Sequence, residues 1–183
     1  MQNKELEIVV KHLKEKTGFD FSNYKEESLL RRLNTRLKSC GHNNLEDYIN
    51  FLINDSSETE KLLDVFLIKV TQFFRDIEAY KIFKEKVLYH FLEEKLDSLN
   101  PILRIWSIGC ATGEEPYSIA ILIYDYLKEN NRLDELNNIQ IYATELSETA
   151  IKAAKNGVYH KNSLVNLPVD FLNKYFIQIN GDN

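Results

Sequence analysis

Residues 103–120, LRIWSIGCATGEEPYSIA, decide the fold of this chain. The stretch is typical of a short buried strand, a turn bounded by Gly109 and Gly113, and a helix that begins with Glu114 and Glu115. A strand that leads into a glycine turn brings backbone N–H groups and a helix N-terminus close to a ligand. Two carboxylates at that terminus would repel a phosphate and attract a cation. The pattern therefore favours a nucleoside that carries positive charge, and S-adenosylmethionine is such a ligand.

The glycine spacing differs from the G-x-G-x-x-G pattern of dinucleotide sites, and taken alone it also fits an ordinary strand-to-helix turn. A second predicted strand, residues 139–144, ends at Glu145. An acidic residue at this position commonly accepts hydrogen bonds from ribose hydroxyls, although a solvated carboxylate is the simpler alternative. Together, the turn and Glu145 predict nucleoside binding. Glu114 and Glu115 could also be plain helix-terminus carboxylates. Since consecutive helical side chains diverge by about 100°, we expect only one of them to face a ligand.

Composition narrows the class of protein. The chain has 183 residues, is 44% hydrophobic and carries a net charge of −5, which argues against disorder and against electrostatic binding of nucleic acid. No apolar run approaches the roughly 20 residues of a membrane span, so we expect no membrane insertion. The two cysteines lie far apart in sequence, which favours a reducing cytoplasm. The four histidines match no ligand spacing, and no metal site is predicted.

Hydrophobic periodicity divides the chain in two. Residues 1–68 predict four short amphipathic helices that form a small bundle. Residues 69–183 predict an α/β domain: a helix over 76–96, then two strands, each followed by a helix. The apolar side of the helix over 76–96 is predicted to carry Ile77, Tyr80, Phe83, Val87 and Phe91. The order strand, helix, strand, helix implies a parallel sheet, with a possible third strand at 176–179. Because a doubly wound sheet needs more strands, we expect the chain to be a shortened version of a longer protein.

Arg75 follows the aromatic pair Phe73 and Phe74. It is either a surface arginine beside two buried rings or a guanidinium whose fork holds a carboxylate of the cofactor or substrate.

A basic face is predicted on the second helix. Residues 28–45 contain no acid, and their basic side chains lie opposite a leucine stripe on a helical wheel: Arg31, Arg32, Arg36 and Lys38. Such a face is usually only solvated. Because its charge opposes the acidic balance of the whole chain, it is also a candidate docking surface for an acidic partner.

Four stretches carry a resemblance to a known family: GFDFSNYKEESLLRRLNTRL at 18–37, TQFFRD at 71–76, RIWSIGCATGEEPYSIA at 104–120 and IYATELSETAIKAAKNGVY at 141–159. The chain resembles the CheR-type chemotaxis receptor methyltransferases, which methylate glutamate side chains of chemoreceptors. The resemblance runs over nearly the whole chain, and the TxFFR and TGEEPYS strings are specific to the family. It implies a helical N-terminal domain followed by a Rossmann-like domain that binds S-adenosylmethionine and releases S-adenosylhomocysteine.

The resemblance also implies roles for individual residues. Thr71 and Arg75 would contact the cofactor, and Arg75 would help to orient the target glutamate. Glu115, or alternatively Glu114, matches the acid that binds the methionyl amino group. Glu145 stands where the family usually has Asp and would bind the ribose. The basic face resembles the surface proposed to meet the methylation helices of the receptor.

The chain also departs from the family pattern. Lys69 stands where the family often has Asn, and the later NLL and RNVLIYF-like motifs are missing. Two alternatives therefore stay open beside methylation of receptor glutamates: a methyltransferase of the same fold with another substrate, and a non-catalytic module that binds the cofactor or a partner. An NAD-type oxidoreductase is disfavoured by the paired acids beside the glycine turn.

Overall fold

The computed structural model describes residues 2–67 and 70–179. It divides into two compact units, Met1–Ile68 and Lys69–Asn183. The departure from the family at Lys69 lies outside the described residues.

The first unit consists of four helices, as the periodicity predicts: α1 Gln2–Thr17, α2 Glu26–Ser39, α3 Leu45–Asn54 and α4 Ser56–Phe66. Two of them begin at side-chain caps, since Asn44 accepts from the backbone N–H of Asp47 and Asp55 accepts from that of Ser57. Apolar side chains from all four helices form one buried core, among them Leu13, Leu33, Leu52 and Phe66.

The second unit alternates helices and strands. It contains α5 Ile77–Phe83, a π-helical segment Lys84–Leu88, α6 Tyr89–Leu96, β1 Leu103–Ile108, α7 Glu114–Glu129, β2 Ile139–Thr144, α8 Glu148–Asn156 and α9 Val169–Tyr175. Short 3-10 turns lie at Leu133–Asn138 and Lys161–Leu164. Ser147 caps α8 by accepting from the N–H of Ala150, and Gly157 ends the helix in the left-handed conformation at φ 63°.

The sheet is parallel, as predicted. β1 pairs with β2 in a register that places Ile105 opposite Ile141 and Trp106 opposite Tyr142. The two isoleucines lie on the face of the sheet that packs against the core with α6 and α7. The two aromatic rings lie on the other face and are exposed. This arrangement places the carboxyl ends of both strands, and therefore the glycine turn and Glu145, at one edge of the sheet.

The predicted third strand is wrong. Residues 176–179 follow α9 without forming a ladder with either strand. Phe176 packs its ring against Phe73 instead, at a centroid distance of 5.0 Å. Burial of an aromatic ring therefore explains the apolar residue that suggested a strand.

The apolar side predicted for residues 76–96 is wrong at Ile77, which is exposed, and throughout its second half. Val87 and Phe91 are exposed, whereas Leu88, Leu92 and Leu96 are buried. The π-helical segment Lys84–Leu88 explains the change, because one wider turn adds a residue and advances the buried side by one position. A search for a 3.6-residue period cannot detect such a turn.

No helix within the described ranges is both long enough and apolar enough to cross a membrane.

Candidate functional site

The turn between β1 and α7 is attached to the end of β2. The N–H groups of Gly109 and Cys110 both donate to the carbonyl oxygen of Thr144, at 2.8 and 3.0 Å. A Cβ built on Gly109 would meet no atom within 4 Å, and its φ is 70°. Its open side therefore allows the close backbone approach that the sequence predicts.

Gly113, in contrast, is closely surrounded by other atoms. A Cβ at this position would lie 2.9 Å from Cβ of Ala154 and 3.0 Å from the hydroxyl oxygen of Tyr159. The backbone has φ 97°, which disfavours any other residue. Gly113 is buried, and its missing side chain makes room for α8. The sequence assigns both glycines to the ligand, but the geometry supports that role for Gly109 and a packing role for Gly113.

Glu145 holds the turn in place. One of its oxygens, Oε2, accepts from the N–H of Ala111 at 3.0 Å, and Oε1 accepts from the N–H groups of Leu146 and Ser147 at 2.7 and 3.1 Å. Ala111 has φ 48°, a left-handed conformation that costs an alanine about 1–2 kcal/mol. A charge-assisted hydrogen bond offsets a cost of that size. Since a carboxylate offers about four acceptor positions, Glu145 keeps one position for a further donor such as a ribose hydroxyl.

The two acids at the start of α7 are held differently. Glu114 is 2% exposed, and its Oε2 accepts from the hydroxyl of Thr112 at 2.6 Å. Glu115 is exposed, and its Oε1 accepts from the hydroxyl of Ser107 at 2.7 Å. Glu115 is therefore the accessible carboxylate of the pair, and its contact with a ligand stays a prediction.

The edge of the sheet keeps its negative charge. Among the ion pairs of the described residues, none involves Glu114, Glu115 or Glu145, because hydroxyl and backbone N–H groups supply their donors. Three carboxylates around one turn create a potential that attracts a cation. Burial, followed by the charge of Glu145, raises the pKa of the Cys110 thiol, which makes it a poor nucleophile.

The segment that carries Thr71 and Arg75 is anchored by its two phenylalanines. The ring of Phe73 lies edge-on to Tyr159 at 4.8 Å, and its N–H donates to the carbonyl of Ser163 at 3.0 Å. Arg75 is exposed and donates to the carbonyl oxygen of Val70 at 2.8 Å, within its own segment.

The Phe74 backbone ties this segment to α7. Its N–H donates to the hydroxyl oxygen of Ser118 at 3.1 Å. Thr71, at the start of the segment, is half-buried.

The basic face of α2 is smaller than the sequence predicts. Arg36 donates from Nε and from its terminal nitrogen to the two oxygens of Glu58, at 2.8 and 2.6 Å. Arg32 donates to the carbonyl oxygens of Val65 and Phe66 at the end of α4, at 3.2 and 3.0 Å. Both guanidinium groups therefore stabilise the bundle.

Arg31 remains exposed, and with it Lys38. A shallow depression of about 400 Å³ lies between them, lined by Arg31, Asn34, Thr35 and Lys38. These four residues, three or four positions apart, form one stripe of α2, which is called the α2 stripe below.

Sequence reasoning missed the serines that hold the site together. Ser107 is 3% exposed and Ser118 is 0% exposed, although each lies in an otherwise apolar strand or helix. A polar residue at an inward position of an apolar element is the available signal, because burial of a hydroxyl requires a hydrogen-bond partner. Among the described residues, no group of three His, Cys, Asp or Glu side chains could hold a metal ion.

Comparison with known families decides the identity of this arrangement. The family model described as CheR methyltransferase, SAM binding domain, matches residues 69–183, and the model described as CheR methyltransferase, all-alpha domain, matches residues 4–67. This chain belongs to the CheR methyltransferase family. Its fold is that of the family, an all-α N-terminal domain followed by an S-adenosylmethionine-binding domain.

Chemotaxis methyltransferases are among the similar proteins. The chemotaxis protein methyltransferase of Borreliella burgdorferi is 33% identical over 180 residues, which cover 97% of this chain and 62% of that protein. Chemotaxis protein methyltransferase 2 of Vibrio cholerae is 30% identical over 164 residues, covering 88% of the chain and 54% of that protein. The chemotaxis protein methyltransferase of Escherichia coli is 25% identical over 169 residues, covering 91% of the chain and 54% of that protein. The chain thus spans between about half and two thirds of the length of these relatives.

The residues present fit the cofactor of the CheR family. S-adenosylmethionine is a nucleoside with a sulfonium and an α-ammonium group, and the site combines an open glycine at 109 with uncompensated negative charge. Glu145 keeps an acceptor position, and Glu115 is exposed. Each feature suits one part of that molecule.

Proposed function

We propose that this CheR-family protein transfers the methyl group of S-adenosylmethionine to glutamate side chains in the cytoplasmic helices of chemoreceptors. The observation that carries the proposal is the acidic edge of the sheet, where three carboxylates surround an open glycine turn without a lysine or arginine partner in the described residues. Such a site favours a positively charged nucleoside over a phosphate-bearing one. Family membership and the names of the relatives support the same reaction.

In this proposal, each residue of the site contacts a different part of the cofactor. Gly109 allows the nucleoside to approach the backbone, and Glu145 accepts from one ribose hydroxyl. Glu115, oriented by Ser107, receives the α-ammonium group. Thr71 and Arg75 hold the remaining end of the molecule, where the guanidinium of Arg75 pairs with a carboxylate.

The chemistry requires little from the protein beyond alignment. When bound, S-adenosylmethionine supplies an electrophilic methyl group on a sulfonium. A glutamate with an ordinary pKa near 4.3 is ionised at neutral pH, so its carboxylate can attack without a general base. Arg75 contributes by orienting that carboxylate, and the reacting atoms must approach to about 3–3.5 Å.

The partner is recognised through charge. Arg31 and Lys38 lie about two helical turns apart on the α2 stripe, and this spacing of positive charge suits an acidic helix. A cytoplasmic location follows from this partner, because the methylated helices of the receptor lie on that side of the membrane.

Cofactor binding tests the first half of the proposal. S-adenosylmethionine and 5′-methylthioadenosine, which lacks both the amino-acid end and the sulfonium charge, are titrated calorimetrically into the chain and its variants. We expect Glu115→Gln to weaken binding of S-adenosylmethionine about tenfold, as for loss of one charged contact, and to leave methylthioadenosine unchanged. Glu114→Gln is the matched control: it removes a buried charge of the same helix start, and we expect it to weaken S-adenosylmethionine less than Glu115→Gln does and to leave methylthioadenosine unchanged. Equal losses for both nucleosides would contradict the role of Glu115.

Methyl transfer tests the second half. The protein is incubated with S-adenosylmethionine labelled in its methyl group and a receptor cytoplasmic fragment, and glutamate methyl esters are detected by the methanol that alkali releases. Labelled, alkali-labile esters support the proposal. Binding of the cofactor without transfer to any receptor fragment would contradict it and favour the non-catalytic module.

A further inference from the structure

Phe74 adopts a backbone conformation that its side chain does not favour. Its φ is 51°, in the left-handed region, although it is a large residue and is 4% exposed. Strain of this kind persists only where the surroundings fix it, and it is common beside functional groups. The next residue is Arg75, the proposed cofactor contact.

Two kinds of contact fix Phe74. The ring is held between Tyr80, at a centroid distance of 5.0 Å, and Phe171, at 5.7 Å. The N–H is held by the hydroxyl oxygen of Ser118 at 3.1 Å. Because the ring and the N–H of Phe74 are both held, the orientation of the peptide between Phe74 and Arg75 is fixed. That orientation determines where the side chain of Arg75 leaves the backbone.

The hydroxyl of Ser118 is itself oriented. It donates its proton to the carbonyl oxygen of Glu114, one turn earlier on α7, at 2.6 Å. A lone pair is therefore left to face the N–H of Phe74. Ser118 is 0% exposed, so water cannot replace it as the acceptor. One hydroxyl thus joins the first turn of α7, which carries Glu115, to the segment that carries Arg75.

We infer that Ser118 is a positioning residue for Arg75. It holds Phe74 in the left-handed conformation and thereby sets the position of the guanidinium relative to the acidic edge of the sheet. The inference rests on the proposed function, in which Arg75 contacts the cofactor. Ser118 itself does not need to touch cofactor or substrate.

A double-mutant cycle tests whether Ser118 acts through Arg75. The affinity for S-adenosylhomocysteine is measured calorimetrically for the unsubstituted chain, Ser118→Ala, Arg75→Ala and the double variant. We expect Arg75→Ala to lower the affinity about tenfold and Ser118→Ala about fivefold. The double variant should bind no more weakly than Arg75→Ala, because a side chain that is absent cannot be misplaced.

Tyr175→Phe is the matched control for stability. Tyr175 donates from its hydroxyl to Asp125, which lies on the same helix α7, at 2.7 Å. This variant therefore loses one internal hydrogen bond of the same unit, and we expect its affinity to stay unchanged. A loss of affinity equal to that of Ser118→Ala would mean that general destabilisation explains the result, and the inference would be overturned.

The outcomes separate the inference from the proposed function. Additive losses in the double variant overturn the inference and leave the role of Arg75 intact. No loss in Arg75→Ala, or no binding by the unsubstituted chain, contradicts the proposed function and the inference with it.

Amide exchange gives a measurement that does not depend on the cofactor. In the unliganded chain, we expect the Phe74 N–H to exchange at least about tenfold faster in Ser118→Ala, while the Phe73 N–H, bonded to Ser163, keeps its protection. Unchanged protection of Phe74 would overturn the inference.

Discussion

Replacement of Gly113 by alanine should destabilise the second unit far more than the same change at Gly109. Both glycines have positive φ, 97° and 70°, so each alanine variant carries a strain of about 1–2 kcal/mol. Alanine also makes the unfolded chain less flexible than glycine does, which raises the free energy of unfolding by about 0.4–1 kcal/mol in each case. At Gly113 alone, the new Cβ lies 2.9 Å from Cβ of Ala154, closer than such atoms approach. Overpacking of this kind costs about 1–3 kcal/mol. We therefore expect the free energy of unfolding to fall by about 2–4 kcal/mol for Gly113→Ala and by about 1 kcal/mol for Gly109→Ala.

Urea unfolding measures this difference. Trp106 is the single tryptophan of the chain and lies in β1, so its fluorescence follows the second unit. With a slope of about 1–3 kcal/mol per molar urea, a loss of 3 kcal/mol lowers the midpoint by about 1–3 M. Adding Ala154→Gly to Gly113→Ala should recover part of the loss, because it removes the opposing Cβ. Equal losses for the two glycine variants, or no recovery with Ala154→Gly, would refute the packing role of Gly113.

Three further predictions concern charge and the open turn. Burial by itself would raise the pKa of Glu58, but hydrogen bonds from Arg36 and Tyr48 outweigh it and hold the pKa below its ordinary value of 4.5. The stabilisation is thus complete at neutral pH and is lost as the pH falls below about 4.5. Glu58→Gln should cost about 2 kcal/mol or more at pH 7 and flatten this acid dependence in unfolding curves followed by circular dichroism. Arg31→Glu should weaken binding of an acidic receptor helix, measured by calorimetry, without loss of stability or of cofactor affinity. Arg36→Glu should unfold the bundle in thermal melts. An equal fall in melting temperature for both variants would contradict the separation of an exposed Arg31 from a structural Arg36. Gly109→Ala should weaken binding of S-adenosylmethionine and methylthioadenosine alike in calorimetric titrations, because the proposed function places the nucleoside against the open side of this glycine. An unchanged affinity for both would count against that placement.

Much of the fold follows from local sequence. Strands 103–108 and 139–144 have the bounds that their apolar runs predict, and Ser147 and Gly157 limit α8 as their capping chemistry requires. These features depend on neighbouring residues, so one sequence is sufficient to find them. The π-helical segment Lys84–Leu88 was missed because it breaks the period on which helix prediction depends.

The candidate site is only partly visible in the sequence. The glycine turn, the paired acids and Glu145 could be found because they follow predicted strands at short spacing. Ser107 and Ser118 could not be assigned, since a serine in an apolar element gives no information about which distant donor or acceptor it meets.

The sequence by itself determined the family, the two-part organisation of helices and strands, the cationic nucleoside that suits the glycine turn, and the ends of most elements. Only the tertiary structure decided which glycine is open, which acid is exposed and which arginine is available. Gly113 is closed by Ala154, and Arg36 is held by Glu58. The contacts that close Gly113 and hold Arg36 each join residues more than 20 positions apart. Local periodicity has no information about such contacts, because they form only when separate elements pack together.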